Sequence, residues 1–259
     1  MVSSVLADFL RICEFDLVIT SQEGSSQLAR QVSDVAPVTG WIHSVSNTGL
    51  EVLEAEPRYA LVTSKFVLRR MRQRGKTKFV LFYPPFIDTG DRVAEHDRRD
   101  GLLMINPVPA KGGEFVKRLA ASFPDRKFTV VEGWWDTSAT FTGLANVRYV
   151  PRTYDMNTIY SAHQALLVPS VVEDAFPRVI IEAGLSGLPS VGSARGGIPE
   201  AIADGGVVLP PDDLHTWVET IDMLDGVTVA SYSVRARRNA LRFVRSCVEE
   251  LFKEGVIAI

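Results

Sequence analysis

One regularity limits what this chain can fold into: short apolar runs rich in β-branched residues alternate with longer amphipathic stretches. Asp16 to Thr20, Val38 to His43, Tyr59 to Thr63 and Phe79 to Phe82 read as buried parallel strands, because each is close to continuously apolar. Ser25 to Ser33, Thr48 to Glu56 and Ser64 to Arg74 read as the helices between them, with Ser64 as an N-cap and Gly75 as a C-terminal stop. Strand and helix in strict succession imply right-handed crossovers around a parallel sheet.

The pattern halts at Tyr83 to Asp88, and the stretch from Asp91 to Asp100 is so rich in charge that it reads as a solvated connector. A first lobe is therefore expected over 1–90 and a second over 91–231. The second has strands at Leu102 to Asn106, Phe128 to Glu132, Val147 to Val150, Ala165 to Val168, Ser190 to Gly192 and Gly206 to Leu209. Its helices are expected at Gly113 to Ser122, Pro177 to Ser186, Pro199 to Ala203 and Asp212 to Leu224. Ala236, Ala240, Phe243, Val244, Val248 and Leu251 form one stripe on a helix from Ser233 to Phe252. That helix makes 232–259 a separate element, expected to dock back toward the first lobe. Two such sheets place a ligand beyond the carboxyl ends of strands, in a cleft between the lobes.

Composition removes several classes. With 46% hydrophobic and 23% charged residues in 259, the chain is globular rather than disordered or fibrous. Lys and Arg number 28 against 31 Asp and Glu, so tight binding to nucleic acid through phosphate neutralisation is not expected. Cys13 and Cys247 lie far apart, which suggests neither a disulfide framework nor a zinc site and fits a reducing cytoplasm. Asp8, Arg11, Glu14 and Asp16 interrupt the N-terminal apolar stretch, so neither export nor membrane spanning is expected.

The most informative segment runs from Pro169 to Ser190. A strand ends at Val168, a loop carries Glu173 and Asp174, and a helix opens at Pro177, where a missing N–H costs nothing. The next amides, of Arg178 and Val179, can receive a phosphate oxygen. Glu182 follows five residues into the helix, about 7.5 Å along its axis. Two carboxylates thus flank a phosphate-sized site, and carboxylates accept hydrogen bonds from a ligand rich in hydroxyls. A nucleotide sugar has this layout of ribose, diphosphate and sugar.

The acid, seven residues and Glu from Asp174 to Glu182, followed by Ala183, Gly184, Gly187 and Pro189, resemble the retaining glycosyltransferases of the GT-B fold, family GT4 or group 1. Gly196-Gly197-Ile198-Pro199-Glu200 is similar to that family's Gly-Gly-Xaa-Pro-Glu element, and Asn106 to Gly113 to its phosphate-binding Lys-Gly element. Val38 to His43 and Val62 to Phe66 resemble two units of its N-terminal lobe, which is here shortened. The resemblance implies an α/β fold of two Rossmann-like lobes with parallel sheets facing across a cleft. It implies transfer of a sugar from a nucleotide-diphosphate donor, UDP- or GDP-linked, to an acceptor hydroxyl with retention.

In that scheme His43, Lys111 and Asp174 are catalytic. Asn106, Lys111, Gly112, Glu173, Asp174, Ala175, Phe176, Pro177, Arg178, Val179 and Glu182 bind donor, and either acid of the 173–174 pair serves the sugar. No metal and no cofactor are expected, since no DxD triad occurs. The alternatives are a nucleotide-sugar epimerase or hydrolase on the same fold, or a non-catalytic nucleotide-sugar-binding partner.

Other residues read more plainly. His96, His163 and His215 read as structural, and Trp134 and Trp135 read first as packing residues, with exposed faces that suit sugars as the alternative. From Lys65 to Lys78 seven basic residues occur without an acid. They read as a solvated face, or as a contact for a phosphorylated acceptor or the inner membrane surface.

Overall fold

The computed structural model describes residues 2–13, 15–71, 76–88, 99–245 and 247–257. Two compact units result, one of Met1–Pro85 with Arg245–Ile259 and one of Phe86–Val244.

In the first unit, helix α1 (Val2–Cys13) leads into β1 (Val18–Thr20), α2 (Ser25–Val32) and β2 (Val38–Ile42). Then come α3 (Asn47–Leu50), continued by a 3-10 turn over Glu51–Ala55, β3 (Tyr59–Val62), α4 (Lys65–Met71) and β4 (Lys78–Leu81). All four strands are parallel in the order β1-β2-β3-β4. The strand and helix pattern of the sequence is therefore present, with the described ends moved by a residue or two and the expected helix end at Arg74 outside the described residues. The Ser64 hydroxyl accepts from the Val67 amide at 3.1 Å, the N-cap bond that the sequence suggested. Gly75, the expected stop, lies outside the described residues. Helix α1 lies outside the strand and helix alternation of the sequence.

The core of this unit is completed from far along the chain. A helix over Cys247–Lys253 follows the second unit, and Leu251 and Val256 pack with Leu61, Val80 and Phe82. Lys78 Nζ donates to the Glu254 carbonyl at 3.3 Å beside them.

The second unit opens with β5 (Leu102–Ile105), a 3-10 turn at Pro109–Lys111, α5 (Gly113–Ser122), β6 (Phe128–Val131) and β7 (Val147–Val150). It continues with α6 (Met156–Ala162), β8 (Ala165–Val168), α7 (Arg178–Leu185), β9 (Ser190–Ser193), α8 (Ile198–Ile202), β10 (Gly206–Leu209), α9 (Leu214–Asp222) and α10 (Gly226–Leu241). Its six parallel strands lie in the order β10-β9-β8-β5-β6-β7. Trp217 on α9 is wholly buried and meets Phe115 edge-on at 5.1 Å, while its indole N–H donates to the Pro210 carbonyl at 3.0 Å. Asp213 and Asp225 cap α9 and α10, accepting from the amides of Thr216 at 3.2 Å and Thr228 at 2.7 Å.

Three expectations need correction. The single helix from Ser233 to Phe252 is two helices, because Phe243 packs on Phe86 and Phe176 in the second unit while Leu251 belongs to the core of the first. Pro177 is the residue before α7 rather than its first helical position, with ψ at 99°. Of the Asp91 to Asp100 connector, residues 91–98 lie outside the described residues, but Arg99 is a buried side chain rather than a solvated one. Among the described residues, no helix is long and apolar enough to cross a membrane.

Candidate functional site

The chain order of the second sheet creates the site. From β5 the chain moves outward through β6 and β7, then returns to place β8 on the other side of β5 and continues through β9 to β10. The loops after β5 and β8 therefore diverge from adjacent strand ends, and a switch of this kind opens a crevice at the carboxyl edge.

Lys111 follows β5 and Asp174 follows β8; though 63 positions apart, their side chains form an ion pair. The second carboxylate oxygen of Asp174 accepts from the Ser170 hydroxyl at 2.6 Å. Ser170 is fixed in turn, since its carbonyl accepts from the Ser193 hydroxyl at 2.8 Å, and the Val171 amide joins the two loops by donating to the Ala110 carbonyl at 3.1 Å. The Asp174 side chain is 12% exposed and that of Lys111 31%, so the cation reaches solvent while the anion is enclosed.

Two glycines make this approach possible. Gly112 has φ +87° and a Cβ there would fall 2.3 Å from the Pro169 carbonyl oxygen. Gly196, at φ +56°, lies so close under the acid loop that a Cβ would fall 2.3 Å from the Asp174 carbonyl oxygen. Only glycine combines that conformation with that clearance. The Gly197 amide then donates to the same carbonyl at 2.6 Å, tying the Gly-Gly turn to the acid loop.

Helix α7 begins immediately beyond. Arg178 and Val179 are its first residues, so their amides point along the axis from the positive end of the helix dipole. Glu182 accepts from the Tyr160 hydroxyl at 3.3 Å and lies 3.3 Å from Arg178 Nε. Burial, with the neighbouring carboxylate, raises the Tyr160 pKa well above its ordinary value, so the phenol stays a donor. The Arg178 guanidinium also covers the Phe86 ring at 4.7 Å.

The far end of α7 is clamped. Arg99, 4% exposed, donates to the carbonyls of Ser186 at 2.6 Å and Gly187 at 2.7 Å. Arg237 donates to the Leu185 carbonyl and, in a two-pronged pair, to Asp88 at 2.6 and 3.0 Å. Cations here complement the negative end of the dipole.

The sequence-derived residues thus divide. Lys111 and Asp174 pair across the switch point and Gly112 abuts Pro169, while Arg178, Val179 and Glu182 stand at the start of α7 beyond the same loop, on which Glu173 is exposed. Pro177 is buried, and Ala175 and Phe176 are each 8% exposed, so these side chains serve the core. Asn106 adopts φ +56° and turns its Oδ1 inward, buried and without a hydrogen-bond partner, against Gly133. His43 belongs to the other unit, at the end of β2, where its Nε2 lies 2.9 Å from the Gln22 side-chain Nε2 and its ring stacks on Trp41. Partial burial lowers its pKa.

Sequence reasoning missed Ser170, Tyr160, Arg99 and Arg237, none of which stands in a recognisable spacing. Of the other singled-out residues, His163 is buried and bonds the Ile159 carbonyl at 2.7 Å through Nδ1. His96, Arg72 and Arg74 lie outside the described residues. Trp134 and Trp135 are exposed, which reverses the packing expectation. Among the described residues, no group of three or more His, Cys, Asp or Glu is placed to hold a metal ion.

Known proteins similar to this chain are glycosyltransferases. A model of the family described as Glycosyl transferases group 1 matches residues 114–224. The D-inositol 3-phosphate glycosyltransferase of Mycobacterium sp. (strain KMS) is 31% identical over 136 residues, covering 45% of this chain and 30% of that protein. The enzyme of that name from Corynebacterium aurimucosum is 31% identical over 163 residues, covering 52% of this chain and 38% of its own. The chain therefore spans well under half the length of these curated relatives.

Among solved structures, sucrose-phosphate synthase from Thermosynechococcus elongatus superposes with a TM-score of 0.78 at 18% identity, covering 98% of this chain and 76% of that one. HepE of Anabaena, solved in complex with UDP-glucose, gives 0.79 at 15% identity, covering 97% and 82%. The whole described chain has the α/β GT-B fold with two parallel sheets, and residues 114–224 within it are similar to the group 1 glycosyltransferases.

Proposed function

We propose that this protein transfers a sugar from a nucleotide-diphosphate sugar to an acceptor hydroxyl, with retention at the anomeric carbon. One observation carries the reading. The Lys111–Asp174–Ser170 cluster sits at the switch point of the second sheet, beside the positive end of α7. Negative charge grows on the diphosphate as it departs, and Lys111 with the amides of Arg178 and Val179 is arranged to stabilise it. Losing one such donor typically costs about 10² to 10³ in rate. The reading gives that charge to the protein's own groups and invokes neither metal nor cofactor.

Glu182, held by Tyr160 and Arg178, is assigned to the ribose hydroxyls. Glu173, exposed on the loop, is assigned to the sugar, and Asp174, which holds Lys111 and Ser170, to aiming Lys111. His43 keeps the role at the reacting centre that the family resemblance gives it. HepE is solved with UDP-glucose, which supports a uridine donor here. The name of the mycobacterial relative supports an acceptor bearing phosphate, for which the exposed Lys65, Arg69, Arg70, Lys76 and Lys78 offer cations.

The test is calorimetric binding of UDP and of GDP to the wild type, Lys111→Ala and Glu182→Ala. One nucleotide is expected to bind the wild type and to lose at least about tenfold in affinity in each variant. Undiminished binding in both variants would remove the basis of the proposal. Incubating UDP-glucose or GDP-mannose alone then separates the alternatives, because an epimer or rapid release of free sugar without acceptor would replace transfer by epimerisation or hydrolysis.

A further inference from the structure

At the amino edge of the second sheet a cleft of about 550 Å³ opens. Its lining includes residues that stand just before four parallel strands: Asp100 before β5, Lys127 before β6, Asn146 before β7 and His163 before β8. The Lys111–Asp174 pair follows strands of the same sheet, so the strands themselves separate the cleft from the candidate site at the carboxyl edge. The rim is fixed. The Asp100 amide donates to the Ala162 carbonyl and the Gln164 amide to the Gly101 carbonyl, each at 2.9 Å. Asn146 Nδ2 donates to the carbonyls of Ala120, Phe123 and Arg126 at 3.0, 2.8 and 3.1 Å.

Three polar groups that line this cleft have no partner among the described residues. His163, 7% exposed, uses Nδ1 on the Ile159 carbonyl. A carbonyl only accepts, so Nδ1 carries the ring proton and Nε2 is left as a bare acceptor. Burial and, to a smaller extent, Arg148 lower the His163 pKa and keep the ring neutral. Thr129, also nine-tenths buried, brings a hydroxyl that bonds nothing else described. Its register partner on β7 is Arg148, so both side chains leave the same face of the sheet, and the Arg148 guanidinium meets no described carboxylate or carbonyl.

These groups select a ligand by its chemistry. Lys127 is offset by Asp100 at 2.6 Å, and the Arg99 guanidinium is turned to the carbonyls beyond α7. Arg148 therefore supplies one uncompensated positive charge, which suits a carboxylate better than a phosphate dianion, and its planar fork grips a carboxylate with two parallel bonds. His163 Nε2 calls for an O–H or N–H on the same molecule. Val147, Ile159 and Ala162 offer an apolar wall to a hydrocarbon body, and a rigid rim lowers the entropic cost of holding it. We propose that this cleft binds a small amino or hydroxy acid with an apolar side chain, its carboxylate on Arg148 and its amino or hydroxyl group on His163, apart from the nucleotide site.

The test is calorimetric titration of the full chain with L-phenylalanine, phenyllactate, L-leucine and hydroxyisocaproate. Two controls accompany them: phenylalaninamide, which lacks the carboxylate, and phenylpropionate, which lacks the donor. At least one acid is expected to bind one-to-one, with both controls at least about tenfold weaker and the Kd unchanged by saturating UDP. Arg148→Met, with an unchanged Tm, is expected to weaken binding at least about tenfold. Should that variant lower the Tm, Arg148→Lys, which keeps the charge and loses the fork, decides by the same criterion. No binding by any acid, equal binding by the Arg148 variant, or displacement by UDP overturns the site. Equal binding of either control, or of inorganic phosphate, overturns the assigned ligand class.

Discussion

Arg99 offers a prediction whose size follows from its surroundings. Its guanidinium makes two hydrogen bonds to the carbonyls of Ser186 and Gly187, and among the described residues no carboxylate pairs with it. Hydrogen bonds from charged donors are worth about 1.5–3 kcal/mol each, so replacing Arg99 with Met forfeits about 3–6 kcal/mol. Against this stands relief of a buried charge. Burial lowers the Arg99 pKa to about 10, which corresponds to about 3 kcal/mol at neutral pH. The net expectation for Arg99→Met is a loss of up to about 3 kcal/mol, centred near 1.5 kcal/mol.

Arg99→Ala also abandons the packing of the aliphatic stem and should lose about 1–2 kcal/mol more. Urea unfolding followed by far-UV circular dichroism measures both, and the lowered stability should appear as a fall of roughly 2–4 °C in Tm per kcal/mol. A Met variant as stable as the wild type would refute the reasoning, because the carbonyls at the end of α7 would then be served equally well without the cation.

Two further outcomes are expected. Asp174→Asn should shift the affinity for UDP and for UDP-glucose by the same factor, whereas Glu173→Gln should weaken UDP-glucose alone; an Asp174→Asn protein with unaltered UDP affinity would return that acid to the sugar. His163, 7% exposed, has its pKa lowered chiefly by burial, so the unfolded chain takes up its proton first as pH falls. Its stabilising contribution is complete above the ordinary value of 6.5 and is lost on acidification below it; urea midpoints measured from about pH 7 to 5 should fall less steeply in His163→Asn, and identical slopes would contradict this.

How far the sequence could be read depended on whether an element's partners were local. Val147–Val150, Ala165–Val168 and Gly206–Leu209 stand where their apolar runs placed them, because a short run bounded by turn residues fits little else. Helix α5 was legible from its glycine start. Helix α6 was not, since Met156–Ala162 mixes small, polar and apolar residues and buries only Tyr160 on one face. The stripe from Ala236 to Leu251 shows why periodicity overran a break: its spacing stays helical while its residues face two different cores.

At the site, the residue types and spacing of Asp174 and Glu182 were visible, along with Lys111. The pairing of Lys111 with Asp174 was not, because it depends on β5 and β8 being neighbours, which strand order decides and local sequence does not.

The core of the first unit contains Leu251 and Val256, which a ribosome makes only after the entire second unit. Vectorial synthesis usually lets the leading domain mature first. Here the leading sheet must wait, with Leu61, Val80 and Phe82 uncovered, until the trailing segment arrives to seal it. Stalling or proteolysis near residue 245 would strand an exposed apolar surface on an otherwise finished partner, the kind of surface that recruits chaperones.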